Sequence, residues 1–317
     1  MEKRINATEL AKEFNLNILG STDERILYPG SLKRHDRNSL SWAGSSDNLK
    51  RINKGYIIIY CDLSPDYSPD ITYLITEENP KLLYAKILGK YFLTEDDVFH
   101  NYVEEHRHNL KIKIADNVFI GKNVEIGDGT LIHPNVVIHS RTKIGSNCII
   151  KAHVSLGTEG LGHQIDKETG EFIQFPQIGG VILEDDIEIG PCSTVRRSAL
   201  DDTIIRKGTK IGALVNVGHN SVIGKNCILS CQIVTCGSSS IGNNVFMGVG
   251  SIVRESIDIG SNVIIGQGAV VTKNVPDGAT FVGNPAEDIV SYKLWSKVKK
   301  KLIKMFGDSS SDTSISF

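Results

Sequence analysis

IADNVFIGKNVEIGDGTLIHPNVVIHSRTKIGSNCIIKAHVSLG, residues 114–157, places an aliphatic side chain at every sixth position: Ile114, Ile120, Ile126, Ile132, Ile138, Ile144, Ile150 and Leu156. The beat returns at Leu183, Ile189 and Val195. It runs again from Ile205 through Ile211, Val217, Ile223 and Leu229, past Thr235, to Ile241, Met247, Val253, Ile259, Ile265 and Val271. A helix repeats at three and four and a half-buried strand at two, so a strict six fits neither. It predicts a stacked solenoid in which each hexad is one flat side of a coil. Glycine follows the aliphatic residue at Gly121, Gly127, Gly145, Gly212, Gly224, Gly242, Gly260 and Gly266, where we expect the backbone to turn. Four places after it come small or β-branched residues such as Val118, Val124, Thr130, Val136, Thr142, Cys148, Thr209, Cys227, Val245 and Ala269, suited to a tight wall.

The phase breaks twice, and breaks in a solenoid mark chain that leaves the wall. Thr158 to Gln177 (TEGLGHQIDKETGEFIQFPQ) is polar and glycine-containing, a loop over a neighbouring surface. Between Val195 and Ile205 there is a four-residue surplus holding Arg196, Arg197, Asp201 and Asp202, read as a bulged corner.

Residues 1–95 lack the six-fold pattern and form a separate small α/β domain. Asn6 and Glu9 make a capping box before a short helix through Phe14. The run Tyr56 to Cys61 reads as a buried strand, and Asn79 and Pro80 start a second helix, LLYAKILGKY. Residues 96–110 are a charged linker, 111–286 the repeat domain, 287–306 a basic amphipathic helix with Leu294, Trp295, Val298 and Leu302 on one side, and 307–317 a disordered tail.

A net charge of −2 gives no electrostatic case for nucleic acid. No signal peptide or membrane-spanning run is visible, and the six cysteines form no CxxC pair. Free thiols in a reducing cytoplasm are the expectation.

Chemistry begins at VGHNSVIG. His219 follows Val217 and Gly218 and falls at a corner, where its side chain can face a cleft; the plain alternative is a solvated corner histidine. Gly237 stands eighteen residues, three hexads, later, which is one full coil if the solenoid is built as in the hexapeptide-repeat acyltransferases that the repeat resembles. A base beside an exposed N–H suits acyl transfer: the imidazole takes a proton from the attacking amine or hydroxyl, and the N–H holds the developing oxyanion.

The repeat resembles the hexapeptide-repeat acyltransferases. That likeness, and not the spacing, supplies the fold class: mainly β, a left-handed parallel β-helix of hexapeptide repeats with a small N-terminal α/β domain and a C-terminal helix. The segments VSLGTEGLGHQIDKETG and FPQIGGVILEDDIEIGPCSTVRRSALDDTIIRKGTKIGALVNVGHNSVIG are similar to the UDP-3-O-acylglucosamine N-acyltransferase family of lipid A synthesis. So are LAKEFNLNILG, LSWAGSSDNLK and ITYLITEENPKLLYAKIL in the first domain. The resemblance implies that His219 is the base and that Gly237 offers its N–H to the oxyanion. It further implies that the first domain binds a pyrimidine by stacking on Trp42, against the alternative that this Trp is simply core, with Ser45 standing where the family has an Asn that contacts the base. dTDP and UDP both fit.

Further substrate contacts are expected at Asn216, Asn220 and His163, the last carried by the 158–177 loop across the boundary of a homotrimer. Departures from the family are Ser256 for a second histidine near the sugar phosphates, Gly212 and Ala213 for an Asp-Asn pair, and Arg196 for an acid; Ser256 remains a candidate contact. AVVTKNVPDGATFVGNPA is similar to acetyl-CoA-dependent sugar and serine acetyltransferases, which would set Lys273 and Asn284 near coenzyme A, or make them an ordinary solenoid cap.

These points together lead us to expect an N-acyltransferase that uses acyl-CoA to acylate the amine of a nucleotide-diphosphate-linked amino sugar for surface polysaccharide. The alternatives are the lipid A enzyme itself, its donor an acyl carrier protein docked on the basic helix, and a non-catalytic hexapeptide scaffold. A zinc enzyme of the γ-carbonic-anhydrase kind is disfavoured, because His133, His139 and His153 lie on different sides of a coil. No metal is expected.

Overall fold

The computed structural model describes residues 5–20, 25–32, 38–49, 57–60, 71–92 and 100–307. From residue 113 the chain winds as a parallel β-helix whose coils contribute strands to three sheets of seven, ten and eight strands. Register follows the sequence beat: Val217 pairs with Thr235, Thr235 with Val253 and Val253 with Val271. The aliphatic residue of each hexad and the small residue four places on both point inward. Ile120, Ile138, Ile150, Val195, Val217, Val253 and Val271 are fully buried, as are Thr130, Thr142, Cys148, Thr209 and Cys227. A buried aliphatic side chain contributes about 1.5–3 kcal/mol, and here each stacks on its counterpart in the next coil.

The corners are built differently from the expectation. The backbone enters the left-handed region three places after the aliphatic residue, at Asn117, Asn123, Asn135, Asn147, Asn220, Asn226, Asn244 and Asn262, the residue type whose short amide best tolerates it. The glycine one place after the aliphatic serves stacking instead. A Cβ at Gly121 would lie 2.6 Å from the Ser140 amide nitrogen, and one at Gly212 would lie 2.8 Å from the Ser230 carbonyl carbon.

Both breaks in phase serve the first unit. That unit holds a five-stranded sheet ordered Asn17–Leu19, Thr72–Ile75, Ile57–Tyr60, Ser39–Trp42, Tyr28–Pro29. Helices Ala7–Glu13 and Pro80–Ile87 accompany it, each with the capping asparagine expected. Tyr56 and Cys61 lie outside the described residues, as does the tail beyond 307. The 158–177 insertion folds as an antiparallel hairpin, His163–Ile165 with Phe172–Gln174. Its inner side docks on the chain's own first unit. Phe175 is buried there beside Tyr84, ring centroids 6.1 Å apart, and Asp166 pairs with Lys86 at 3.1 Å. Ala199 and Leu200, from the four-residue surplus, pack against the same core.

The insertion, expected to reach across the trimer boundary with His163, has its inner side anchored on the first unit of its own chain. Apolar Phe175 and Ile173 find their cover inside this chain, while His163, Leu161, Ile165 and Phe172 stay exposed on the outer side.

The described part of the segment expected as a linker packs on the solenoid. Asn101 bonds Val118 and Ile120, and Val103 is buried against the first coil, so this segment with its helix Val103–Arg107 caps the open end of the solenoid. At the other end Glu287–Asp288 pairs with Phe281–Val282, and the helix Ile289–Gly307 projects with Leu294 and Trp295 exposed. Among the described residues no helix is long and apolar enough to cross a membrane.

Candidate active site

Asn216–Val217 lies in the eight-stranded sheet between Thr194–Arg196 and Val234–Thr235. Val217 faces the core, Gly218 stacks on the Cys236–Gly237 backbone, and His219 leaves the wall at the turn that Asn220 makes in the left-handed region. The His219 carbonyl accepts the Ser238 N–H at 2.7 Å, which locks the coil carrying the histidine to the coil carrying Gly237. A Cβ at Gly237 would stand 2.7 Å from both Cε1 and Nε2 of the imidazole. Gly160, in the insertion, also approaches so closely that a Cβ there would collide with Cδ2 of the same ring. The imidazole is thus held between two glycines, because no other residue at either position leaves it room.

The ring is half-buried, and its Nδ1 is buried with no hydrogen-bond partner among the described residues. Burial first, then the Arg196 guanidinium, then the Lys81 ammonium push its pKa below the ordinary histidine value. All three disfavour imidazolium, so the neutral base persists to lower pH than for a free histidine. If His219 is the base, kcat/KM rises with pH through a value below the usual 6.5 and is level at neutrality. A pH–rate profile checks this, and an acidic limb centred above that value contradicts it.

Arg196 reaches its place from the strand Thr194–Arg196. Its Nε donates to Asn216 Oδ1 at 3.1 Å, and its Nη1 to the Glu159 carbonyl at 2.7 Å, tying the insertion down beside the histidine. From the first unit Lys81 extends its ammonium to 5.9 Å from the Trp42 ring centroid and 5.7 Å from that of Phe175. The site is therefore a cleft walled by the coil corner, the insertion and the Pro80–Ile87 helix.

The structure brings His219, Gly237 and Asn216 together and sets Trp42, half-buried, beside Lys81 at the first-unit side, with Ser45 exposed nearby. Asn220 is not free to hold substrate: its Oδ1 accepts from the Ala199 N–H at 2.7 Å and from the Ser198 hydroxyl, fastening the four-residue surplus. Ser256 is exposed one coil past Ser238, its N–H on the Gly237 carbonyl at 3.1 Å. Lys273 occupies the same corner as His219 three coils on, about 14 Å away at the usual strand spacing. Asn284 lies apart, lining a pocket with Tyr292 and Trp295 under the C-terminal helix. His163 is exposed, edge-on to Phe172 at 6.4 Å. Gly160, Lys81 and Phe175 carry no sequence signal for this site, because each belongs to it only through folding.

Among known proteins, the family described as "Bacterial transferase hexapeptide (six repeats)" matches residues 123–158, and "Hexapeptide repeat of succinyl-transferase" matches 239–273. UDP-3-O-acylglucosamine N-acyltransferase of Campylobacter lari is 37% identical over 256 residues, covering 73% of this chain and 77% of the relative. The chain belongs to the UDP-3-O-acylglucosamine N-acyltransferase family. It is an acyltransferase by that membership. The Fusobacterium nucleatum member is 33% identical over 253 residues, with 74% and 75% of the two chains covered. A crystal structure of a UDP-N-acetylglucosamine acyltransferase covers 62% of this chain and 79% of its own at 23% identity and a TM-score of 0.45.

Two departures from the UDP-3-O-acylglucosamine N-acyltransferase pattern take on geometric meaning. Arg196 stands in the cleft itself. Gly212 and Ala213 follow Ile211 of the ten-stranded sheet and so occupy a different corner of the prism from His219.

Proposed function

We propose that this chain N-acylates a UDP-linked 3-O-acylglucosamine, with His219 as the base and the Gly237 N–H as the oxyanion donor. The carrying observation is the imidazole clamped between Gly237 and Gly160 in a form that favours the neutral base. As the sugar amine attacks the thioester carbonyl, His219 takes its proton and the C–N bond forms. The oxyanion rests on the N–H of Gly237, which no acceptor among the described residues takes. Collapse breaks the C–S bond, and the imidazolium returns the proton to the departing thiolate.

The relatives favour this reading over the acyl-CoA-dependent, surface-polysaccharide reading expected first. The carrier-protein donor is supported by charge. The Ile289–Gly307 helix holds Lys293, Lys297, Lys299, Lys300, Lys301 and Lys304 and no acid, a surface complementary to an acidic carrier. The test is turnover of UDP-3-O-acylglucosamine with the acyl group offered on acyl carrier protein or on coenzyme A. Dependence on the carrier is expected; turnover of a dTDP-amino sugar with acyl-CoA alone reinstates the other reading.

A homotrimer is supported by the outer surface. Ile228, Phe246 and Ile264 form an exposed apolar ladder on successive coils of the ten-stranded sheet, and Leu214 and Val249 continue it onto the adjoining corner. Phe246 is 43% exposed in the single chain. Such a contiguous patch marks an interface. Phe246→Glu is expected to dissociate the assembly, read by light scattering on a sizing column, with turnover falling alongside; an intact trimer in that variant removes this face from the interface.

A further inference from the structure

One guanidinium joins the coil that carries His219 to the glycine that crowds its ring. Arg196 Nε donates to Asn216 Oδ1 at 3.1 Å, and Asn216 lies three residues before the histidine on the same coil. Arg196 Nη1 donates to the Glu159 carbonyl at 2.7 Å, and the next residue is Gly160, where a Cβ would collide with Cδ2 of the imidazole and stand 2.9 Å from its Cγ. Arg197 extends the grip down the chain, its N–H on the Thr158 carbonyl at 2.8 Å and its Nε on the Gly157 carbonyl at 2.6 Å. Three consecutive carbonyls at the root of the insertion are taken in this way by two neighbouring arginines. Among the described residues the last of them, that of Glu159, has no donor besides Arg196.

The cations that act on the imidazole are Arg196 from the coil and Lys81 from the first unit. Glu159, the acid of the insertion at this place, turns its carboxylate to Gln174 Nε2 at 2.9 Å. The adjoining coil brings Gly237 and Cys236, and burial keeps the Cys236 thiol protonated. An ionised acid in place of Arg196, as the family has, would donate to neither acceptor and would favour the imidazolium. A lysine would supply the charge but not a rigid fork that spans two acceptors on separate segments. We propose that Arg196 is a positioning residue for the base: by bridging Asn216 and Glu159 it fixes the imidazole of His219 between its own coil and Gly160. This rests on His219 being the base and acts through it, since both bonded donors of Arg196 are spent on protein acceptors. Its charge, second only to burial, keeps that base neutral.

Steady-state kinetics across pH, with UDP-3-O-acylglucosamine and acylated carrier protein, test the role on the parent, Arg196→Gln, Arg196→Lys and His219→Ala. Arg196→Gln is expected to lower kcat about 10- to 10²-fold, the scale of a misplaced catalytic group, with KM for the sugar nucleotide little changed. Its acidic limb of kcat/KM moves up toward the ordinary histidine value, because a cation that disfavours imidazolium is gone. Arg196→Lys is expected to lower kcat and to leave the limb where the parent has it. A parent inactive on these substrates, or His219→Ala as active as the parent, removes the base reading and this inference with it. With His219→Ala inactive, an Arg196→Gln variant that keeps the parental kcat overturns the positioning role and leaves the base standing. A lowered kcat whose limb stays put in Arg196→Gln is a structural loss, and a raised KM at unchanged kcat marks a substrate contact; either overturns the role. Where Arg196→Gln does not melt as a folded protein, Arg196→Lys decides, and a parental kcat in it overturns the role.

Discussion

His219→Ala is expected to lower turnover about 10²-fold or more, the scale of removing a positioned general base, with the thermal midpoint little changed. The coil does not need this side chain. Its core is built by Val217, Thr235 and Val253, and the lock between the two coils uses the His219 backbone carbonyl, which alanine keeps. A melting curve and steady-state kinetics on the same preparation separate the two quantities. Turnover within a few-fold of the parent returns His219 to the plain solvated corner histidine and leaves the scaffold reading in force.

Gly237→Ala carries the second large effect, and for a different reason. The added methyl would stand 2.7 Å from Cε1 and Nε2, closer than packed atoms approach, so the imidazole must move. Gly160 already crowds the same ring at Cδ2 and Cγ, which leaves it little room to shift. The ring is left about an ångström from its working position, a displacement that costs on the order of 10²-fold in rate. Affinity for UDP, read by calorimetric titration, is expected to persist, because the change lies at the coil corner and not in the first unit that holds Trp42. A variant as active as the parent means that the base tolerates a shifted ring or lies elsewhere.

The solenoid was legible residue by residue. A six-fold beat of isoleucine, leucine and valine has one structural solution, and the pairing of Val217 with Thr235 is the spacing restated as hydrogen bonds. The caps at Asn6 and Asn79 were equally plain, since capping is a local reaction of one side chain with the next turn. Misreadings came where a residue's reason lay in the neighbouring coil. The glycine after each aliphatic residue looked like a turn requirement, whereas the turn belongs to the asparagine two places later and the glycine yields space to the backbone stacked on it. Asn220 was expected to contact substrate, yet its Oδ1 accepts from Ser198 and Ala199, members of the surplus that spacing could count but not place.

The sequence by itself determined a stacked solenoid with a six-residue beat, because periodic burial is a one-dimensional property that a repeating core must satisfy, and its family likeness supplied the eighteen-residue coil that sets His219 beside Gly237. Tertiary structure alone decided what surrounds that meeting point. Phe175 and Leu200 leave the wall to cover the first unit, and the same insertion brings Gly160 onto the imidazole and Phe175 against Lys81. These neighbours are far apart along the chain and share no period. Their proximity comes from the need of two separate apolar surfaces to cover one another, which no local pattern records.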